Sequence, residues 1–360
     1  MSELGLIFKA STSDRCDNYR VGGAIVDYDA MTSKWRMWYY CRNKGFDGPP
    51  TLGTGYIAHA MSDDGVSWTR VDGSEALGSV LAPNPDKSAF DSVHVGLTDI
   101  TRGAGEWLMW YFGGDDQPRK TEAAFLGEAV VGLGMRPGVA RSKDGVHWER
   151  IPGPMPNGAL FDYSEHDMYA AWPNVVFDGR RYIMQYTAPK LDLSYFYTRT
   201  AISEDGLNWT KVDDLCWADG CRPYDAGGIV TRQILLNPIP GGRRFLMVYT
   251  ATDEQHGRAV AAAESDDGLI WNHLYDEPIF QVGEAGAWDA GGVAANRLVA
   301  AGDTLHFYYY GFQSLGADDG ARGIGLATCP VGDLRNLKRY AGVEPTKQPE
   351  HFSKTQSRRV

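Results

Sequence analysis

Four copies of one short pattern constrain this chain more than any other feature. They read "SDDGVSW" (Ser62 to Trp68), "SKDGVHW" (Ser142 to Trp148), "SEDGLNW" (Ser203 to Trp209) and "SDDGLIW" (Ser265 to Trp271). The repeat tryptophans stand 80, 61 and 62 residues apart. A unit of about 60 residues is longer than a two-helix solenoid repeat and suits a propeller blade of four strands with generous loops. Within the pattern, a serine and an acid can bond backbone N–H groups of a tight turn, and the glycine supplies a left-handed conformation. The pattern therefore reads as scaffolding on an outer hairpin, and it serves to count units.

The remainder of each unit repeats as well. An aromatic strand precedes each turn: "KWRMWYY", "EWLMWYF", "RYIMQYT" and "RFLMVYT", with a fifth version in "LHFYYYG". Both faces of these segments are apolar, as expected of strands buried between neighbouring sheets. A strand of small residues follows, as in "GYIAHAMS" and "RAVAAAES". Upstream lies the first strand of each unit, led in by an acid: "CDNYRVGGAIV", "AFDSVHVGL", "EHDMYAAWPNVV", "PYDAGGIV" and "AWDAGGVA". The expected fold is all-β, a five-bladed β-propeller with four antiparallel strands per blade, forming one domain over residues 1–341. Residues 342–360 are expected to be a disordered tail. The segment "GLIFKASTSDRCD" echoes "EPIFQVGEAGAWD", so the N-terminal strand is expected to close the ring against the last unit and remove an open edge. An insertion near residues 115–137 accounts for the 80-residue spacing, and long loops of this kind often cover a site.

Composition excludes some classes of function. The net charge of -11 disfavours nucleic acid as a partner, and no apolar run is long enough to span a membrane. Five scattered cysteines fit reduced thiols and a cytoplasmic location better than a disulfide framework. No glycine-rich phosphate loop opens a helix, and no paired Cys or His spacing marks a metal, so neither cofactor nor metal is expected. The expected partner is a small molecule, carbohydrate-like in character.

With these residues in view, the chain resembles the five-bladed furanosidase superfamily of arabinanases, xylosidases, invertases, levansucrases and the related mannoside phosphorylases. The resemblance spans about residues 6 to 341. It implies a funnel on the propeller axis that holds three carboxylates for glycoside chemistry: an acid to protonate the leaving oxygen, a base or nucleophile, and a third group to stabilise charge. Carried over, Asp17 or Asp225 would be base or nucleophile, Asp91 the stabiliser, and Glu165 or Asp167 the acid. By the repeat, Asp167 is the counterpart of Asp91, and Asp289 joins the same set. Aligned on the glycine pair, Arg20 stands where Asp225 does. Tyr19, Trp172, Tyr224 and Trp288 could cover a sugar face. His94 and His166 neighbour the acids and could move protons. Recurrence in every unit equally suits aspartates that bond backbone groups at the strand starts. Two other readings stay open: a propeller turned to lyase, isomerase or cyclase chemistry on a non-sugar metabolite, and a non-catalytic carbohydrate-binding propeller. A sialidase is a weaker fit, since the turn is one residue short of the Asp-box.

Overall fold

The structure is a computed structural model and describes residues 2–44, 53–103, 105–212, 214–314 and 322–342. The tail expected to be disordered lies outside the described residues from 343 onward. Strands and turns make up nearly all the described chain, with three single-turn 3-10 segments and no longer helix.

After β1 (Leu6–Phe8), the chain runs as successive antiparallel meanders. The first pairs β2 (Arg20–Asp29), β3 (Lys34–Arg42), β4 (Tyr56–Ser62) and β5 (Thr69–Val71) in order. The second begins with β6 (His94–Arg102) and β7 (Trp107–Gly114). It breaks for a two-stranded ribbon of β8 (Arg119–Lys120) and β9 (Ala129–Val130), then resumes with β10 (Arg136–Ser142) and β11 (Glu149–Ile151). The third holds β12 (Ala171–Phe177), β13 (Tyr182–Pro189), β14 (Phe196–Ser203) and β15 (Thr210–Val212). After β16 (Cys216–Trp217) come β17 (Gly228–Leu236), β18 (Phe245–Thr252), β19 (Arg258–Ser265) and β20 (Ile270–His273). A single parallel pair, Phe196 with Gly228, joins these last two meanders into one sheet. The final sheet holds β21 (Gly292–Ala301), β22 (Thr304–Phe312), β23 (Arg322–Pro330) and β24 (Lys338–Arg339), and β1 pairs with β23 alongside β24. The first strands touch in a closed circuit, β2 to β6 to β12 to β17 to β21 and back to β2. This is an all-β propeller arrangement, with the first strands around the axis and aromatic cores between sheets.

The repeated turn has one construction in all four copies. Ser62 Oγ accepts from the Gly65 N–H at 2.9 Å, and Asp64 Oδ1 accepts from the N–H groups of Val66 and Ser67 at 2.8 and 2.7 Å. Ser142 with Asp144, Ser203 with Asp205 and Ser265 with Asp267 do the same. These bonds to the charged form hold the pKa of Asp64 below the usual carboxylate range despite the opposing effect of burial. Each turn also docks on the preceding sheet. The Gly145 carbonyl accepts from Trp38 Nε1, that of Gly268 from Gln185 Nε2, and that of Gly65 from the Tyr308 hydroxyl on the last sheet. Gly206 lies against Trp110. The last meander lacks the turn, and the matching position on β18 is Val248, which has no side-chain donor to offer.

Every first strand is interrupted at the same height. Pairing with the second strand shifts between Gly22 and Ile25, Leu97 and Asp99, Ala171 and Asn174, Ile229 and Thr231, and Ala295 and Arg297. A β-bulge bends its strand and re-aims the extra residue. Here the extra residues face the axis.

Candidate functional site

The lead-in aspartates are held in the sheets and not in the axial cavity. Asp17, Asp91, Asp167, Asp225 and Asp289 are all buried. Tyr39, Tyr111, Tyr249 and Tyr309, at one position of the second strands, donate hydroxyls to Asp17, Asp91, Asp225 and Asp289 at 2.8 to 3.0 Å. Burial, with the neighbouring carboxylates adding to it, pushes these phenols up, so they remain donors. Outer-strand arginines complete the set: Arg70 on Asp17 (2.5 Å), Arg150 on Asp91 (2.7 Å) and Arg339 on Asp289 (2.8 Å). On β14, Arg199 grips both oxygens of Asp167 at 2.7 and 2.9 Å. An arginine and a tyrosine thus neutralise and tie down Asp17, Asp91 and Asp289 where the outer strand meets the lead-in, while among the described residues Asp167 is held by arginine alone.

The fourth meander has His273 in place of arginine. Its Nε2 and Nδ1 lie 2.8 Å from Asp225 and 2.9 Å from Asp219, and its ring stacks on Trp217 at 4.0 Å. Burial opposes the imidazolium, but the hydrogen bonds and charges of the two aspartates outweigh it and raise the pKa above the ordinary histidine value. A histidine pKa raised on folding stabilises fully below the unfolded value, and that contribution is lost as pH rises through the folded value. Unfolding free energy should therefore drop by ~1 kcal/mol more in the wild type than in His273→Arg from pH 6 to 9, one charge-assisted bond being at stake. Parallel pH profiles in a guanidinium titration would refute this.

The other expected site residues divide in two. Glu165 and His166 are exposed and lie 3.5 Å apart, away from the axis. Tyr224 donates to the Tyr275 carbonyl, Trp288 donates to the Leu4 carbonyl and stacks on Tyr309, and Tyr19 accepts from Arg20. None of these lines the axial cavity. Arg20, His94 and Trp172 do line it.

That cavity, about 430 Å3, sits where the bulges converge. Three second strands send aromatic rings into its wall, Tyr40, Phe112 and Tyr310, at the position after the repeated tyrosine. The other two have threonine there. Thr187 Oγ1 donates to the Val230 carbonyl, and Thr250 Oγ1 lies 2.7 Å from Thr231 Oγ1, pinning the bulges of β17. The insertion covers the cavity, with Phe125, Leu126, Leu133 and Met135 in its wall, and it packs through a core of its own with Met168 and Tyr169. Trp172 has φ 53, where the matching residue of β2 is Gly23 at φ 57. A bulky side chain in this conformation is strained, and the Phe112 ring at 4.8 Å and Tyr169 at 5.3 Å hold it in place. Among the described lining residues there is no Asp or Glu, while Arg20, Arg42, Arg232 and Arg258 are all present.

His94 faces this wall with Nδ1 3.1 Å from the Gly53 carbonyl. The Nδ1–H must be the donor, which leaves Nε2 as the acceptor. Burial first, and then Arg42, lower its pKa to about 3, so the ring is neutral. Below the cavity a polar belt links the first strands. Arg297 donates to Asp99 at 2.8 Å and to the Val26 carbonyl at 3.2 Å, and Asn174 donates to Asp99 at 2.9 Å. Asn174 Oδ1 accepts from the Ile234 N–H, and Gln233 Oε1 from the Leu298 N–H. Burial lifts the Asp99 pKa to about 6, with Arg297 as the largest opposing effect. A second cavity of about 450 Å3 opens on the far side of this belt. Among the described residues no group of three or more His, Cys, Asp or Glu could hold a metal ion.

No family model matches the chain, and no curated protein matches it. Solved structures do. An N-acetylgalactosamine deacetylase from F. plautii, in complex with blood group B trisaccharide, superposes with TM-score 0.65 at 16% identity, over 92% of this chain and 96% of that one. A β-1,2-mannobiose phosphorylase from Listeria innocua, complexed with β-1,2-mannobiose, gives 0.63 at 14% identity, over 91% and 95%. A glycosyl hydrolase from Bacteroides ovatus gives 0.60 at 14% identity, over 97% and 94%. At these identities the likeness is one of fold.

Proposed function

We propose that the meanders are five blades of four strands each, in a propeller akin to the furanosidase group. On this reading the axial cavity takes a small organic molecule and turns it over without a carboxylate pair. The observation that carries this is the cavity wall, in which aromatic rings and arginines stand where a glycosidase would need acids. Hydrolysis with retention or inversion uses two carboxyl groups ~5–9 Å apart across the scissile bond. The aspartates that the resemblance offered for that work are spent on arginines, tyrosines and His273 inside the sheets.

The groups left for chemistry are His94 as a neutral acceptor, the phenols of Tyr40, Tyr169 and Tyr310, and the guanidinium groups. Such a set moves protons and stabilises negative charge as it develops, which suits a lyase, isomerase or cyclase. A second reading, carbohydrate binding, is favoured by the rings of Trp172, Tyr40 and Phe112 and by the sugars bound to the two neighbours. A panel of nitrophenyl furanosides and pyranosides tests the first reading. No nitrophenol release above buffer is expected from the full chain. Turnover that survives heat-inactivated controls and follows enzyme concentration would overturn it. Saturable tryptophan quenching by neutral oligosaccharides, without turnover, would favour the second reading.

A further inference from the structure

Two arginines at the axial cavity differ from those that brace the sheets. Arg70, Arg150, Arg199, Arg339 and Arg297 each end on a buried aspartate. Arg232, only 2% exposed, does not. Its Nη2 donates to Thr187 Oγ1, and among the described residues nothing accepts from its Nε or Nη1. Arg258 lies over the Phe312 ring with no carboxylate partner among the described residues. Burial lowers the pKa of both, that of Arg232 to about 9.

A desolvated cation without a counter-charge is costly to keep. Its persistence in a cavity wall points to a ligand that brings the negative charge. The rest of the wall describes the remainder of that ligand. Phe112, Trp172, Met168 and Leu133 give it an apolar and aromatic surface of a size that a small inorganic anion would leave largely uncovered. We infer that the cavity binds an organic carboxylate, its charge on Arg232 with Arg258 as the second cation and its flat or apolar body against Trp172 and Phe112. This inference rests on the reading of the axial cavity as the functional site.

The test titrates benzoate, glucuronate, benzamide, methyl glucoside and inorganic phosphate into the full chain, followed by tryptophan fluorescence and calorimetry. At least one carboxylate should bind tenfold or more tighter than its neutral counterpart, benzoate over benzamide for a planar body or glucuronate over methyl glucoside for a sugar body. Arg232→Met should weaken that binding at least tenfold while its unfolding temperature stays level or rises, because the variant removes an unpaired buried charge. Arg258→Met, on β19, should weaken it as well and serves if Arg232→Met does not fold. Neutral probes binding as tightly as the carboxylates would overturn the inference and leave the cavity as a site for neutral molecules. So would carboxylate affinity unchanged in the variants, or phosphate alone binding. Binding by none of the five probes would overturn both the carboxylate inference and the reading of the cavity as the site.

Discussion

Replacing Arg150 with methionine should lower the unfolding free energy by ~3–5 kcal/mol, because it strands a charge inside the protein. Asp91 is fully buried and, among the described residues, keeps only the Tyr111 hydroxyl once Arg150 is gone. The carboxylate must then stay ionised without its counter-charge or take up a proton, and either course penalises the native state. The double variant Asp91→Asn/Arg150→Met should regain part of the loss, since it removes the stranded charge along with its partner. Denaturant unfolding of the two variants at pH 7 decides the matter. A loss under 1 kcal/mol for Arg150→Met would mean that the pair does not stabilise the sheet. Binding to the axial cavity by the folded double variant is a separate readout: it should persist, whereas a catalytic or ligand-holding Asp91 would lose it.

Arg297→Met should cost a similar ~3–5 kcal/mol near pH 8, because the belt below the cavity loses the cation facing Asp99. This loss has a sign in pH. The folded pKa of Asp99 is about 6, already above the unfolded carboxylate value, and losing Arg297 raises it further. An acid whose pKa rises on folding favours the native state when protonated, and that benefit disappears as pH climbs from the unfolded value through the folded one. The deficit of Arg297→Met should accordingly shrink at pH 5, where Asp99 can take the proton, and widen again at pH 8. Guanidinium melts at both values check this, and an equal deficit at each would remove Asp99 from the account.

The scaffold was far more legible than the site. The "SxDGxxW" turns need only local bonds, so their chemistry is written in seven residues. The cover made by residues 115–137 was likewise readable as an interruption of the repeat. For the aspartates, the sequence marks the lead-in to each first strand but not the direction of the side chain. The deciding signal sits elsewhere in the unit: an arginine two residues after the repeat tryptophan, Trp68 to Arg70 and Trp148 to Arg150. On a short outer strand such an arginine reads as solvent-facing, and only the tertiary arrangement shows that it reaches inward. Arg232 and Arg258 are hidden for the opposite reason. In "TRQ" and "GRAV" they pass for ordinary strand charges, and the bulges that shape the cavity depend on pairing register, which no local pattern reports. The change from tyrosine or phenylalanine at Tyr40, Phe112 and Tyr310 to threonine at Thr187 and Thr250 was visible in the repeat, and it would have drawn attention to the uneven cavity wall.

The pairing of β1 with β23 also dictates an order of events. Leu6–Phe8 leaves the ribosome more than three hundred residues before its partner segment around Ile324 exists. Until β23 is made this strand has no sheet to join, so the last sheet keeps an open edge even once the circuit of first strands can close through β21. The late contact ties the two ends of the ring together, so a chain released before β23 is made would keep a free sheet edge and invite pairing with another copy.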